Sequence, residues 1–354
     1  MTLFQTLTWV RQSRLKYLDN VGAINRMSDP NGRDASEVVE PPERDSVKAL
    51  SGTPSVVSVS DIHGYLGEAR SALLAVGDHD DFEPVVEADD EDRLHWAGND
   101  YVLVFNGDLI DRGPMSAETL AMVRRLREEA PPERVRVVVG NHEMGLMLPQ
   151  VVNWPDWFSG RRTVEERVTF YNQILDGHVV AAYEGYAFTY AHAGLPDPYD
   201  PAELNERLVE ATETMLGSAG SDRDVRVQTE LVKEYPDLFG VAGPSGRGEG
   251  AGICWLDFEH IPGDAPPQIV GHTRHRIPER KGDVVCQNVI RDNKDSPGGE
   301  TVFVETPDRL VGITRLEHGG VQELEFRQPS GPSKAATTEE AAPGEDVGFD
   351  WEDA

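Results

Sequence analysis

Cysteine is almost absent from this 354-residue chain: Cys254 and Cys286 are the only two, each inside an apolar stretch ("GICWLD", "DVVCQNV"). Two isolated thiols exclude a disulfide framework and a thiolate metal site, and they fit a reducing compartment. Long apolar runs are missing too, since none approaches the roughly 20 residues that span a bilayer. The opening "MTLFQTLTWVRQSRLKYLDN" interleaves charge with its apolar positions and has no small-residue cleavage site. The expectation is a soluble cytoplasmic protein that is neither exported nor membrane-bound. Lysine is also scarce, with 6 beside 27 arginines, and these 33 basic residues face 63 acidic ones for a formal charge of -30 and a pI near 4.6. Such a balance excludes nucleic acid or anionic lipid held by clustered cations.

What is present suffices for a sizeable core, with 38% hydrophobic residues. Residues 1–50, including "DPNGRDASEVVEPPERDS", read as an arm or linker with one possible amphipathic helix. Residues 51–327 read as one catalytic domain. Short apolar runs recur there ("PSVVSVS", "DYVLVFNG", "RVRVVVG", "YAFTYAHAG", "PQIVGHT", "TVFVET", "RLVGITRLE"), several ending in Gly or Asp and some followed by helical patterns. That rhythm predicts an α/β or layered α+β domain. Two helices are expected: "MSAETLAMVRRLREEA", with Leu120, Val123 and Leu126 on one side, and "VEERVTFYNQIL", with Val168, Tyr171 and Leu175. Segments near 144–185 and 197–250 are expected to cap the site, and the glycine-rich "GPSGRGEGAG" lacks the lysine of a phosphate-cradling P-loop. Residues 328–354 are acidic and poor in apolar side chains, which predicts a disordered tail.

The ends of the β-type runs carry the chemistry. Asp61 and His63 follow the first, Asp108 and Asp111 lie in "FNGDLIDRGP", and Asn141, His142 and Glu143 in "VVVGNHE"; His192 follows in "YAHAGLP" and His272 in "IVGHT". Any one aspartate could be a helix cap or an Asx turn. Taken together, they place imidazole, carboxylate and carboxamide where loops converge outside the carboxyl ends of strands. Without sulfur, that donor set suits Mn, Fe or Zn. Its members are too many for one tetrahedral ion, whereas two ions bridged by a carboxylate account for them and would clamp the oxygens of a phosphoryl transfer. Histidines 79, 95, 178, 260 and 318 match no pattern and read as surface or capping residues. Trp154, Trp157 and Trp255 could stack on a nucleobase, but packing is the commoner role of such rings.

The order D-x-H, G-D-x-x-D-R-G, G-N-H-E, H-A-G, G-H-T resembles the calcineurin-like metallophosphoesterases over about residues 55–310. Within them it is most similar to the phosphoprotein phosphatase branch, which includes symmetrical diadenosine tetraphosphatases. The resemblance implies a central β-sandwich flanked by helices, with two divalent metals, manganese first among them, at strand ends. Asp61 and His63 would bind one metal, Asp108 would bridge, and Asn141, His192 and His272 would bind the other. A metal-bound hydroxide would attack phosphorus, and His142, oriented by Asp111, would protonate the leaving oxygen. Arg112, with Asn141, would hold the phosphate. The leading expectation is a serine/threonine protein phosphatase acting on phosphoproteins or small phosphate esters, with a dinucleoside polyphosphate hydrolase as the alternative. A catalytically silent, metal-stabilised scaffold is a third reading, opposed by His142, Asp111 and Arg112 standing together.

Three departures bear on substrate. Ser60 stands where the family usually has glycine, and "HAG" replaces a double glycine. No arginine lies between Trp255 and His272 to act as a second phosphate ligand; Arg161, Arg162, Arg247 and Arg274 are its possible replacements. "GHTRH" places His275 one position beyond the spacing at which the wider family uses a second histidine ligand. The acidic, lysine-poor composition itself resembles that of salt-loving archaea, where high ionic strength screens a carboxylate-rich surface.

Overall fold

The computed structural model describes residues 45–329, so the expected arm up to residue 44 and the tail from residue 330 lie outside the described residues. In chain order the strands are β1 Ser55–Val59, β2 Val86–Ala88, β3 Leu94–Trp96, β4 Tyr101–Phe105, β5 Val135–Val138, β6 Val179–Val180, β7 Ala182–Glu184, β8 Thr189–Ala191, β9 Gln268–Val270, β10 Glu279–Lys281, β11 Val284–Cys286, β12 Thr301–Glu305, β13 Leu310–Arg315 and β14 Val321–Phe326. Seven form one sheet in the order β14-β13-β12-β1-β4-β5-β6, and five form a second in the order β10-β11-β9-β8-β7. β2 and β3 make a separate hairpin. In the first sheet β1, β4, β5 and β6 run parallel, while β12 to β14 return antiparallel. In the second, the central β8, β9 and β11 run parallel.

The valine-rich runs form strands because both faces of the first sheet are covered over its central strands, which favours continuous apolar sequence over alternation. Alternate residues then enter different cores. Val56, Val102, Val104 and Val138 meet Tyr183, Tyr190, Ile269 and Val285 between the sheets. Val57, Val59, Leu103, Phe105 and Val137 pack with Leu73, Met122, Leu126 and Tyr171 of the helices. The sheets are also pinned by polar contacts: Asn106 Nδ2 donates to Ile269 O at 3.0 Å, and Ser58 Oγ to Gln287 Oε1 at 2.9 Å.

Three local expectations change. Helix Val164–Leu175 starts at a Thr163/Glu166 capping box, but it buries Phe170, Tyr171 and Ile174 rather than a Val168/Leu175 stripe. Its Arg167 is turned inward to pair with Asp224 at 2.5 Å, which rotates the packed face. Within the segment 144–185 expected to cap the site, residues 179–184 instead form β6 and β7, one in each sheet. Residues 46–49, read as arm, join the domain through a bridge from Ser46 to Glu184 and burial of Val47. Among the described residues, no helix is long and apolar enough to cross a membrane.

Candidate metal centre

Five parallel strands from the two sheets deliver the five motifs. β1, β4 and β5 end just before Asp61, Asp108 and Asn141, and β8 and β9 just before His192 and His272. The loop backbone continues the ladder: Asp61 N donates to Gly107 O at 3.0 Å, His63 N to Asp108 O at 2.8 Å, and Gly271 N to His192 O at 2.7 Å. Asp61, His63, Asp108, Asp111, Arg112 and His272 all have positive φ, between 48° and 71°. A left-handed backbone costs each such residue on the order of 1 kcal/mol or more, a strain typical of functional sites. Close approach explains two of the glycines. A Cβ on Gly107 would collide with His192, and one on Gly271 with the Asp61 carboxylate.

The donor atoms face one another. His63 Nδ1 donates to Ile110 O at 3.0 Å, so its Nε2 lone pair points at Asp108 Oδ2, 3.5 Å away, with Asp61 Oδ1 at 3.9 Å. His192 Nδ1 likewise donates to Asn106 O at 3.1 Å. Its Nε2 lies 3.2 Å from Asn141 Oδ1, 3.2 Å from His272 Nδ1 and 3.4 Å from Asp108 Oδ1. Two clusters of ligand-type atoms result, His63/Asp108/His142 and Asp108/His192/His272, with Asp108 common to both. Asp61 belongs to neither cluster; its carboxylate accepts from His272 N at 3.0 and 3.1 Å.

The electrostatics of these buried groups conflict. Burial pushes the Asp61 carboxyl up to about 7 and the His63 imidazole down to about 3. Burial also penalises the Asp108 carboxylate, yet His192 and His142 hold it well below the ordinary range. His192 resists the same penalty because of Asp108 and rises to about 9, while burial and the charges of His192 and Arg247 hold His272 well below its usual value. Lone pairs aimed at carboxylate oxygens, in groups whose protonation preferences oppose, fit a site built for cations, which satisfy all of these acceptors together. The nitrogen and oxygen donor set suits borderline divalent ions.

His142 differs from the other histidines. Asp111 Oδ2 takes its Nδ1–H at 2.6 Å, which leaves Nε2 for the cavity. Burial opposes ionisation of Asp111, but its bonds to His142 and Ser159 lower its pKa. Ser159 donates to Asp111 from both N (2.8 Å) and Oγ (2.7 Å), a contact that nothing in "WFSGRR" announces. Glu143 lies outside the donor set: its carboxylate accepts from Asp108 N, Leu109 N and Gly140 N at 2.8 to 3.0 Å and so fixes the loop that carries Asp108.

The donors open into a cavity of about 880 Å³. Trp154 and Trp255 line one wall; both are partly exposed, and the Trp154 ring lies 4.8 Å from His142. Trp157 carries the Arg112 guanidinium over its face at 4.9 Å. Of the possible second arginines, Arg162 pairs with Glu166 and covers Phe158, while Arg161 lines a neighbouring groove. Arg247 reaches the donors, its Nε donating to His272 Nε2 at 2.8 Å and its Nη2 pairing with Asp257. Arg274 is on the cavity wall, paired with Asp292 at 3.2 Å. His275 belongs to neither donor cluster; it bonds Glu279 at 2.7 Å on the rim.

Comparison with known proteins agrees with this chemistry. The chain is 26% identical over 238 residues to bis(5′-nucleosyl)-tetraphosphatase PrpE (asymmetrical) of Bacillus velezensis, covering 61% of this chain and 80% of that one. It is 26% identical over 190 residues to a symmetrical bis(5′-nucleosyl)-tetraphosphatase of Colwellia psychrerythraea, covering 48% and 56% respectively. A cold-active protein-tyrosine phosphatase of a psychrophilic Shewanella species matches 83% of this chain and 87% of its own, at 17% identity and a TM-score of 0.48, too distant to add to the assignment. A family model described as calcineurin-like phosphoesterase matches residues 54–242, just over half of the 354, and the chain therefore belongs to the calcineurin-like phosphoesterases, a family of hydrolases with a dinuclear divalent-metal site.

Proposed function

We propose that this chain hydrolyses a phosphoric ester or anhydride of a small nucleotide, with a dinucleoside polyphosphate as its best substrate. The observation that carries hydrolysis is the His142–Asp111 pair, with Nδ1 bound at 2.6 Å and the ring itself a member of the His63/Asp108/His142 cluster, which shares Asp108 with the second cluster. Asp61, His63 and Asp108 would hold one cation, and Asp108, Asn141, His192 and His272 the other. When bound, such a pair supplies Lewis-acid polarisation of the phosphoryl group and an activated nucleophile. The remaining work falls to side chains. His142 Nε2 gives its proton to the departing oxygen, while Asp111 holds the ring in the required tautomer and stabilises its charged form. Asp111 is itself fixed by Ser159. Arg112 and the Asn141 amide orient the phosphate, and Glu143 keeps the Asp108 loop in place.

The order of the two substrate readings reverses here. Both relatives described above are named for bis(5′-nucleosyl) tetraphosphates, and a cavity with partly exposed tryptophans suits a planar base better than a seryl backbone. Phosphoserine and phosphothreonine remain the competing substrates because of the motif resemblance. The test is a comparison of diadenosine tetraphosphate with a phosphoseryl peptide at equal concentration, with Mn²⁺ at high salt and an aryl phosphate as reference. Faster cleavage of the tetraphosphate is expected. Preference for the peptide would reverse the choice, and no turnover of any of the three with any divalent metal would remove hydrolysis altogether.

A further inference from the structure

The cavity wall farther along the chain from the donors is cationic in a protein of net charge -30. Arg274, Arg280, Lys281 and Arg291 line it, on the segment that follows His272. Three of them are engaged. Arg274 pairs with Asp292, Arg280 with Asp283, and Lys281 Nζ donates to Glu259 O at 2.9 Å. Arg291 differs. Among the described residues its guanidinium makes no hydrogen bond or ion pair, although it is partly buried and shares the cavity with Arg112. The nearby acidic residues are paired elsewhere: Asp257 with Arg247, Glu279 with His275, Glu259 with His260 and Asp292 with Arg274. Burial and the proximity of Arg112 and Arg274 lower the pKa of Arg291, an effect that Tyr65 and Asp292 only partly offset.

We propose that Arg291, with Arg274 beside it, is the seat of a second phosphate group of the substrate, separate from the phosphate that Arg112 orients for hydrolysis. Crowding guanidiniums around a cavity is unfavourable for the protein alone and becomes favourable when a dianion enters, because a planar guanidinium can pair two phosphate oxygens. The ligand class is a small molecule with two or more linked phosphates. This inference rests on the phosphoesterase reading and deepens it: a monophosphate would leave Arg291 unsatisfied, whereas a polyphosphate chain spans both positions.

The test uses the full chain and two non-hydrolysable probes, methylphosphonate and methylenediphosphonate, titrated calorimetrically at fixed free Mn²⁺. The wild type should bind the diphosphonate about tenfold more tightly, the worth of one charge-assisted contact. Arg291→Ala should erase most of that preference and Arg291→Lys should keep part of it, with unchanged melting temperature in both. A preference that survives intact in the Arg274→Ala/Arg291→Ala double variant overturns the proposal. So does tighter binding of a doubly phosphorylated peptide than of the diphosphonate, since that would make the ligand a protein. Loss of the hydrolytic reading would look different: aryl phosphate would not turn over, while the calorimetric preference for two phosphates persisted.

Discussion

The floor of the cavity and its rim are built in different ways. Floor residues sit within a few positions of a strand end; Asp61, His63, Asp108 and His272 hold strained left-handed backbones, and main-chain bonds between neighbouring loops lock the site. Rim residues such as Arg247, Arg274 and Arg291 come from loops and short elements after residue 240 and reach inward on long flexible side chains. The floor is therefore positioned by the sandwich, while the rim, apart from Arg247 with its bond to His272, can change without disturbing it. Chemistry and substrate choice become separable, as expected when a rigid scaffold carries variable loops.

The sharpest way to break that separation is at His142. His142→Asn should lower turnover about 10² to 10⁴-fold, the scale of general acid catalysis, with metal content by elemental analysis unchanged. Metal loss instead would make His142 a ligand rather than the proton donor. Next comes Gly271→Ala, which adds a Cβ against the Asp61 carboxylate. Metal affinity should fall about 10 to 100-fold, as when the surroundings of a ligand are disturbed, with little change in the phosphonate preference at saturating metal. Ser159→Ala removes the hydroxyl bond to Asp111 but leaves the main-chain one. A fall of about tenfold in kcat is expected from the loss of one hydrogen bond to a charged group, with a shift in the acidic limb of the pH profile. An unchanged profile would make Ser159 purely a packing residue.

The smallest effect lies away from both regions. Burial opposes the charge of Asp224, but its bonds to Arg167, Gly220 and Gln228 hold its carboxyl below the usual carboxylate value. A carboxyl lowered in the folded state stabilises above its unfolded pKa, about 3.9, and that contribution is lost as pH falls through the folded value. Melting temperature should therefore drop on acidification below about pH 4. Asp224→Asn should flatten that limb without altering turnover at neutral pH; a steeper limb in the variant would contradict the assignment.

Much of the floor was legible in the sequence because each motif is local. A β-branched run followed by Asp-Ile-His or Gly-Asn-His announces both a strand end and a donor, and glycine marks where backbone must approach a side chain. Helix Ser116–Glu129 was readable for the same reason, its apolar residues recurring at helical spacing. The face of helix Val164–Leu175 was not, because a buried pair between Arg167 and Asp224, far apart in the chain, turned it. Ser159 was invisible likewise, since its partner Asp111 lies 48 residues earlier.

By itself, then, the sequence determined the strand rhythm, the donor types and the Asp108, Asn141, His142, His192 and His272 order, because these depend on short-range periodicity and on side-chain chemistry. Only the tertiary structure decided that two sheets end their parallel strands at one edge, so that Asp108 stands between two acceptor clusters. It also singled out Arg247 and Arg291, rather than Arg161 or Arg162, as cavity residues. The physical reason is distance along the chain: an arginine has no spacing rule with a phosphate, and its place is known only when the fold has brought its loop to the site.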